Sequence, residues 1–353
     1  MTLCRATFFP TYTMLLLDPI SIGSLQLRNR LVMPPMCMYS AQDGLTNDFH
    51  LVHYATRATG GVGLIIIEAT GILPNGRISD QCLGLWKDEQ IEPLRRVVEA
   101  CHRQGAKVAV QLAHAGRKCV ASGVSRIVAP SRLRFSDAPE YREPDELSPL
   151  EIETIAEAFG SAAARAALAG VDALEVHAAH GYLIHQFLSP LSNQRRDDYG
   201  GSLANRTRIL SRVLQAVRRE WAAPKSLLLR VSASDYAIGG LDVPQLAEIV
   251  SQIRSYIDML HVSSGGLLPI MPPQSPGFQV PFAKALRAAC AVPVIAVGLI
   301  TSAEQAEAIL QAQQADLVAM GRELLRNPYL PLTAAKTQHA PALHPHQYER
   351  AFS

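Results

Sequence analysis

Eight short apolar runs rich in β-branched residues recur along the chain, at residues 30–34, 63–70, 107–112, 173–177, 227–232, 259–263, 292–297 and 316–320. They are continuous hydrophobic stretches rather than alternating ones, the pattern of parallel strands covered on both faces. Amphipathic helical patterns lie between most of them, for example at 88–104, 149–169, 205–221, 243–256 and 302–311, several opened by a Ser, Asp or Asn cap. Strand and helix alternating eight times imply an α/β fold, a single (β/α)8 TIM barrel, in preference to a doubly wound sheet. The length of 353 residues suits one such barrel with extended loops. No Gly/Ser-rich linker divides it, so one domain with a C-terminal tail is expected over residues 15–353. Residues 1–14 are expected to be a disordered or mis-assigned N-terminal extension, with Met1 and Met14 the two candidate starts.

Composition excludes several classes. With 48% hydrophobic and 18% charged residues the chain can bury a large core and is not a disordered polymer. A net charge of +2 offers no broad attraction for nucleic acid or an anionic membrane. The longest apolar run ends at Glu68, far short of the ~20 residues that cross a bilayer. Six cysteines without C-x-x-C spacing argue against a zinc knuckle, an iron–sulfur cluster or a disulfide framework, and fit a reducing cytoplasm.

The longest irregular connections are expected at 113–148, 178–204 and 264–279, after strands three, four and six. In a barrel these emerge at the carboxyl face, where active sites are assembled. The polar residues at strand ends would converge there: Cys37 and Tyr39, Gln111 and His114, His177 and His180, and Arg230 inside strand five. Cysteine alone is commonly a small core residue. A buried Arg230 without a partner would cost several kcal/mol, so something anionic or strongly hydrogen-bonding should face it. His177 and His180 admit two readings. Imidazoles are common zinc ligands, but Glu68 and Glu175 lie within strands and strands one and three end in no carboxylate. The alternative is a pair of neutral donors holding a substrate oxygen, with the Tyr182 phenol nearby as an acid. Gly298 and Gly321-Arg322 follow strands seven and eight, where such barrels often bind phosphate, and imply a phosphorylated cofactor.

Several segments together carry a resemblance: Pro35-Met36-Cys37-Met38-Tyr39-Ser40, Gln111-Leu112-Ala113-His114-Ala115-Gly116-Arg117-Lys118, His177-Ala178-Ala179-His180-Gly181-Tyr182-Leu183, Asp198-Tyr199-Gly200-Gly201, Arg230-Val231-Ser232-Ala233 and Gly321-Arg322-Glu323-Leu324-Leu325. In these the chain resembles the Old Yellow Enzyme family, in the bacterial branch with a cysteine near the flavin. The resemblance implies tightly bound FMN at the barrel mouth and NADPH as hydride donor, with activated alkenes reduced in turn. It places Cys37 beside the flavin, where its thiol tunes the potential. The backbone of Pro34, Pro35, Met36, Cys37 and Ala69, with the Gln111 amide, would bond the ring, and Arg230 would face its pyrimidine edge. Gly298, Gly321 and Arg322 would hold the phosphate. His177 and His180 would grip the substrate carbonyl, Tyr39 would border it and Tyr182 would supply the proton. It further implies a homodimer or homotetramer in which Arg350, in Gln347-Tyr348-Glu349-Arg350, reaches a neighbouring site. No metal is expected. A metal-dependent hydrolase or lyase and a non-catalytic binding barrel are the rival classes, and a yellow, NADPH-bleachable protein separates the three.

Overall fold

The computed structural model of the chain describes residues 14–338 and 343–352, so the first thirteen residues of the expected extension lie outside the described residues. Eight parallel strands close into a barrel: β1 (Leu31–Met33), β2 (Leu64–Gly71), β3 (Lys107–Ala113), β4 (Ala173–Ala178), β5 (Ser226–Ser232), β6 (Met259–Ser263), β7 (Val294–Ala296) and β8 (Leu317–Ala319). Each strand falls within two residues of one of the eight apolar runs. The outer helices are α1 (Asp48–Thr59), α2 (Ile91–Arg103), α3 (Pro149–Leu168), α4 (Leu203–Glu220), α5 (Val243–Ile253), α6 (Val280–Cys290), α7 (Ala303–Gln311) and α8 (Leu330–Thr337). Side chains of Asn47, Ser148, Ser202, Asp242 and Ser302 accept first-turn N–H groups and start α1, α3, α4, α5 and α7. Each such cap contributes about 1 kcal/mol.

The barrel interior is layered. An antiparallel hairpin of Ile20–Ile22 and Leu25–Leu27, which the strand pattern did not predict, inserts Ile22, Leu25 and Leu27 against Val32, Leu64, Ile66, Ala109, Ala173, Leu228, Met259, Ile295 and Leu317. This apolar floor seals the amino end. Inward positions recur every second residue along a strand, so above the floor the register sets Gln111 beside Glu175, then His177, Arg230 and His261 in the next row, and Ser232 beside Ser263 above them. Polar side chains are thus confined to the carboxyl half.

Two of the expected irregular connections carry structure of their own. The one after β4 contains a fully buried helix, Leu183–Leu188. Beyond it Arg195 bonds the carbonyls of Leu147 at 2.6 Å and Pro130 at 3.1 Å and pairs with Asp197 at 2.5 Å, bracing the long loop. The connection after β3 pairs Val128–Ala129 with Asp145–Glu146. Among the described residues no helix is long and apolar enough to cross a membrane. The five described cysteines are free thiols.

Candidate active site

Gln111, Glu175, His177, Arg230 and His261, from four adjacent strands, are all buried. The Glu175 carboxylate accepts from Gln111 Nε2 at 2.7 Å and His261 Nδ1 at 2.8 Å. Arg230 reaches only the Pro35 carbonyl, at 3.5 Å, among the described residues, and its Nε is buried without a partner. A buried guanidinium this poorly served leaves donors for another group. Burial lowers its pKa, with the Glu175 charge the largest opposing influence.

His177 and His180 form the top of this stack. The Ala179 N–H donates to His177 Nδ1 at 3.2 Å, which places the proton of that neutral ring on Nε2. His180 Nε2 lies 2.7 Å from Ser263 Oγ, and that oxygen already accepts from Gln279 Nε2 at 3.0 Å. Assigning the serine proton to the imidazole leaves the His180 proton on Nδ1. His177 Nε2 and His180 Nδ1 stand 3.4 Å apart, so one oxygen can accept from both. Burial, and then the Arg230 charge, hold both imidazoles well below the ordinary histidine pKa, and they stay neutral at pH 7.

The turn that presents His180 is under constraint. His180 has φ +56°, in the left-handed region, and Gly181 follows at φ +71°. A Cβ on Gly181 would sit 2.2 Å from the Gly266 carbonyl oxygen, and one on Gly266 2.7 Å from His180 Cα. Lys118 Nζ clasps the same turn, donating to the carbonyls of His180 at 3.0 Å and Gly266 at 3.1 Å. Burial, with help from Arg117, lowers the Lys118 pKa to about 8. Tyr182 packs edge-on to His177 with ring centroids 4.9 Å apart, and Lys118 Nζ lies 5.2 Å from its ring. Burial raises the Tyr182 phenol well above the usual tyrosine value, so it keeps its proton.

Opposite this pair runs the segment after β1. A β-bulge between Ile67 and Ala69 pairs Ala69 with Gln111. Glu68 accepts the Met38 N–H at 2.9 Å and the Tyr54 hydroxyl at 3.2 Å, which pins the segment from behind. Burial nevertheless raises its pKa to about 7. Burial, followed by the charges of Cys82 and Glu68, pushes the Cys37 thiol up to about 12. Cys37 is therefore a protonated thiol at pH 7. Tyr39, at φ +50°, is 49% exposed at the rim.

A cavity of about 250 Å³ opens beyond β7 and β8, lined by Gly298, Gly321, Arg322 and Gln279 among others. Gly298 has φ +120°, and a Cβ there would meet Gln279 Oε1 at 2.9 Å. A Cβ on Gly321 would press on Met36 Sδ at 3.3 Å and Pro34 Cγ at 3.6 Å. Glycine thus leaves room at this position for the Met36 and Pro34 side chains, and the adjacent Arg322 forms no ion pair among the described residues. The spare donors of Arg230 and this glycine-walled cavity with a cation at its rim fit a phosphorylated, electron-rich ring such as FMN.

The expected residues gather at this mouth, except His114 and Arg350. His114 Nδ1 accepts the Gly116 N–H at 3.1 Å, and a Cβ on Gly76 would lie 2.7 Å from its ring, so it wedges a loop. Arg350 is exposed on the helix Glu349–Phe352, whose Ala351 carbonyl is bonded by Lys336 of α8 at 3.0 Å. Sequence reasoning assigned no role to Glu175, His261, Ser263, Gln279, Glu68 or Lys118. The two-residue spacing Glu175–His177 and His261–Ser263, both inward on buried strands, is the signal that could have found Glu175, His261 and Ser263.

The profile of the NADH:flavin oxidoreductase / NADH oxidase family matches residues 15–340. The NADPH dehydrogenase of Clostridium acetobutylicum is 50% identical over 342 residues, covering 96% of this chain and 100% of that one. That of Listeria innocua is 48% identical over 340 residues, covering 96% and 99%. Among solved structures, morphinone reductase superposes with a TM-score of 0.80 at 30% identity over 95% of this chain and 92% of that one. A 2-naphthoyl-CoA reductase complex superposes with a TM-score of 0.86 at 26% identity over 93% of this chain and 52% of that one. With fold, site and near full-length relatives in agreement, the chain belongs to the NADH:flavin oxidoreductase / NADH oxidase family, the Old Yellow Enzyme group that its motifs resemble.

Proposed function

We propose that the chain is an FMN-dependent NADPH dehydrogenase that reduces the C=C bond of activated alkenes: enones first, with quinones, maleimides and nitro compounds as further candidates. The two half-reactions share one pocket in alternation. When bound, the flavin supplies a two-electron carrier able to accept hydride from NADPH and return it to the alkene. Arg230, Gln111, Ala69 and the Pro34–Cys37 backbone hold its ring, and Gly298, Gly321 and Arg322 its phosphate.

The reading rests above all on the convergent N–H groups of His177 and His180, 3.4 Å apart. Neutral donors with fixed tautomers grip a carbonyl oxygen and tighten as it gains negative charge. Such preorganised donors contribute about 3 kcal/mol each at oxyanion sites. Tyr182, beside His177, holds its proton until the α-carbon of the alkene needs it. Tyr39 walls the substrate at the rim. Arg350 completes the pocket of a neighbouring copy in a homodimer or homotetramer working in a reducing cytoplasm.

Rapid-mixing kinetics of the two half-reactions test this. Tyr182→Phe should slow alkene reduction at least tenfold while NADPH bleaches the flavin at the parent rate. Equal loss in both halves refutes the assignment of Tyr182 as the acid.

A further inference from the structure

Glu175 takes no part in the proposed reaction, yet it is buried inside the closed barrel. It lies in the layer between the apolar floor and the histidine pair, with 0% of its surface exposed. Its Oε1 holds the Gln111 amide at 2.7 Å and its Oε2 holds His261 Nδ1 at 2.8 Å. Strand register sets His177 and His261 on either side of Arg230, one row above Gln111 and Glu175. Among the described residues Arg230 pairs with no carboxylate directly. Through space, the Glu175 charge is the largest influence that keeps Arg230 protonated against its burial.

Resting on the placement of Gln111 and Arg230 against the flavin ring, we propose that Glu175 is a positioning residue of the cofactor site. It fixes which face of the Gln111 amide meets the ring, and it sets the reduction potential by offsetting the Arg230 cation. With Nε2 committed to Glu175, Gln111 has its Oε1 left to present, an acceptor suited to the imide N–H of an isoalloxazine. His261 donates its Nδ1 proton to the carboxylate and holds it in place from the other side. With the cofactor bound, an anion fixed in this layer would oppose the negative charge gained on reduction, just as Arg230 would favour it. Their balance determines the potential.

The test measures the midpoint potential of the holoenzyme by equilibration with reference dyes. Glu175→Gln keeps the shape and removes the charge, so the potential should rise by at least a tenfold shift of the two-electron equilibrium, about 30 mV. Glu175→Asp withdraws the charge by one methylene and should rise less; if the Gln variant does not fold, this one decides. An unchanged or lowered potential in the soluble variant overturns the inference. Arg230→Gln is measured alongside, with a lowered potential or loss of FMN expected. If Arg230→Gln leaves both at parent values, the placement of the ring against Arg230 fails. If it behaves as expected while Glu175→Gln does not, the placement stands and only the role of Glu175 falls.

Discussion

Lys118 offers a quantitative test of how the acid works. As Tyr182 gives up its proton a negative phenolate develops, and the Lys118 ammonium lies 5.2 Å from that ring. Two unit charges at this separation interact by about 3 kcal/mol at an effective dielectric of 20 and by about 0.8 kcal/mol in bulk water. Lys118→Met should therefore slow alkene reduction between about fourfold and about two-hundredfold at pH 7. Reduction by NADPH, which needs no proton from Tyr182, should keep its rate. Because burial lowers the Lys118 pKa to about 8, the parent enzyme should lose alkene-reducing rate as pH rises through that value, and the Met variant should lack the break. Stability responds to pH in the opposite direction. Between about 8 and the ordinary 10.5 the unfolded chain binds a proton that the folded one releases, so stability rises with pH across that window in the parent only. Stopped-flow oxidation of the reduced enzyme by cyclohexenone from pH 6 to 10 reads the kinetic effect. A break near 8 that persists in Lys118→Met, or equal slowing of both half-reactions, refutes the electrostatic role.

Glu68→Gln should flatten the pH dependence of stability. The folded carboxyl holds its proton up to about 7 against 4.5 unfolded, so parent stability falls as pH rises across that window, and denaturant midpoints at pH 4.5 and 7.5 would show it. Gly266→Ala places a methyl 2.7 Å from His180 Cα at a residue with φ +86°, which should destabilise by at least about 1–2 kcal/mol and slow alkene reduction about tenfold or more. Parent thermal midpoint and turnover together would show that the turn is not constrained as described. Deletion after Gln347 should weaken assembly, read by light scattering, and lower alkene turnover. If neither changes, the shared-site role of Arg350 is wrong.

How much of this was legible beforehand follows from what each residue answers to. The eight strands were readable because a strand covered on both faces must be apolar throughout, and the starts of α3, α5 and α7 because Ser148, Asp242 and Ser302 satisfy local N–H groups. His177, His180 and Arg230 stood out because a polar residue inside such a run demands a reason. The sealing hairpin was not readable, since three-residue strands carry no period of their own. Glu175 and His261 were passed over for a different reason. Each looks like a lone anomaly in its own strand, and only the register of β3 to β6 turns them into partners of Gln111 and Arg230. A buried charge is tolerated when its complement arrives from another strand, and that complement is separated by 64 residues for Gln111 and 86 for His261. The polar layer of a barrel is therefore specified by closure. A local reading detects the demand of each buried group, and only the closed sheet shows what meets it.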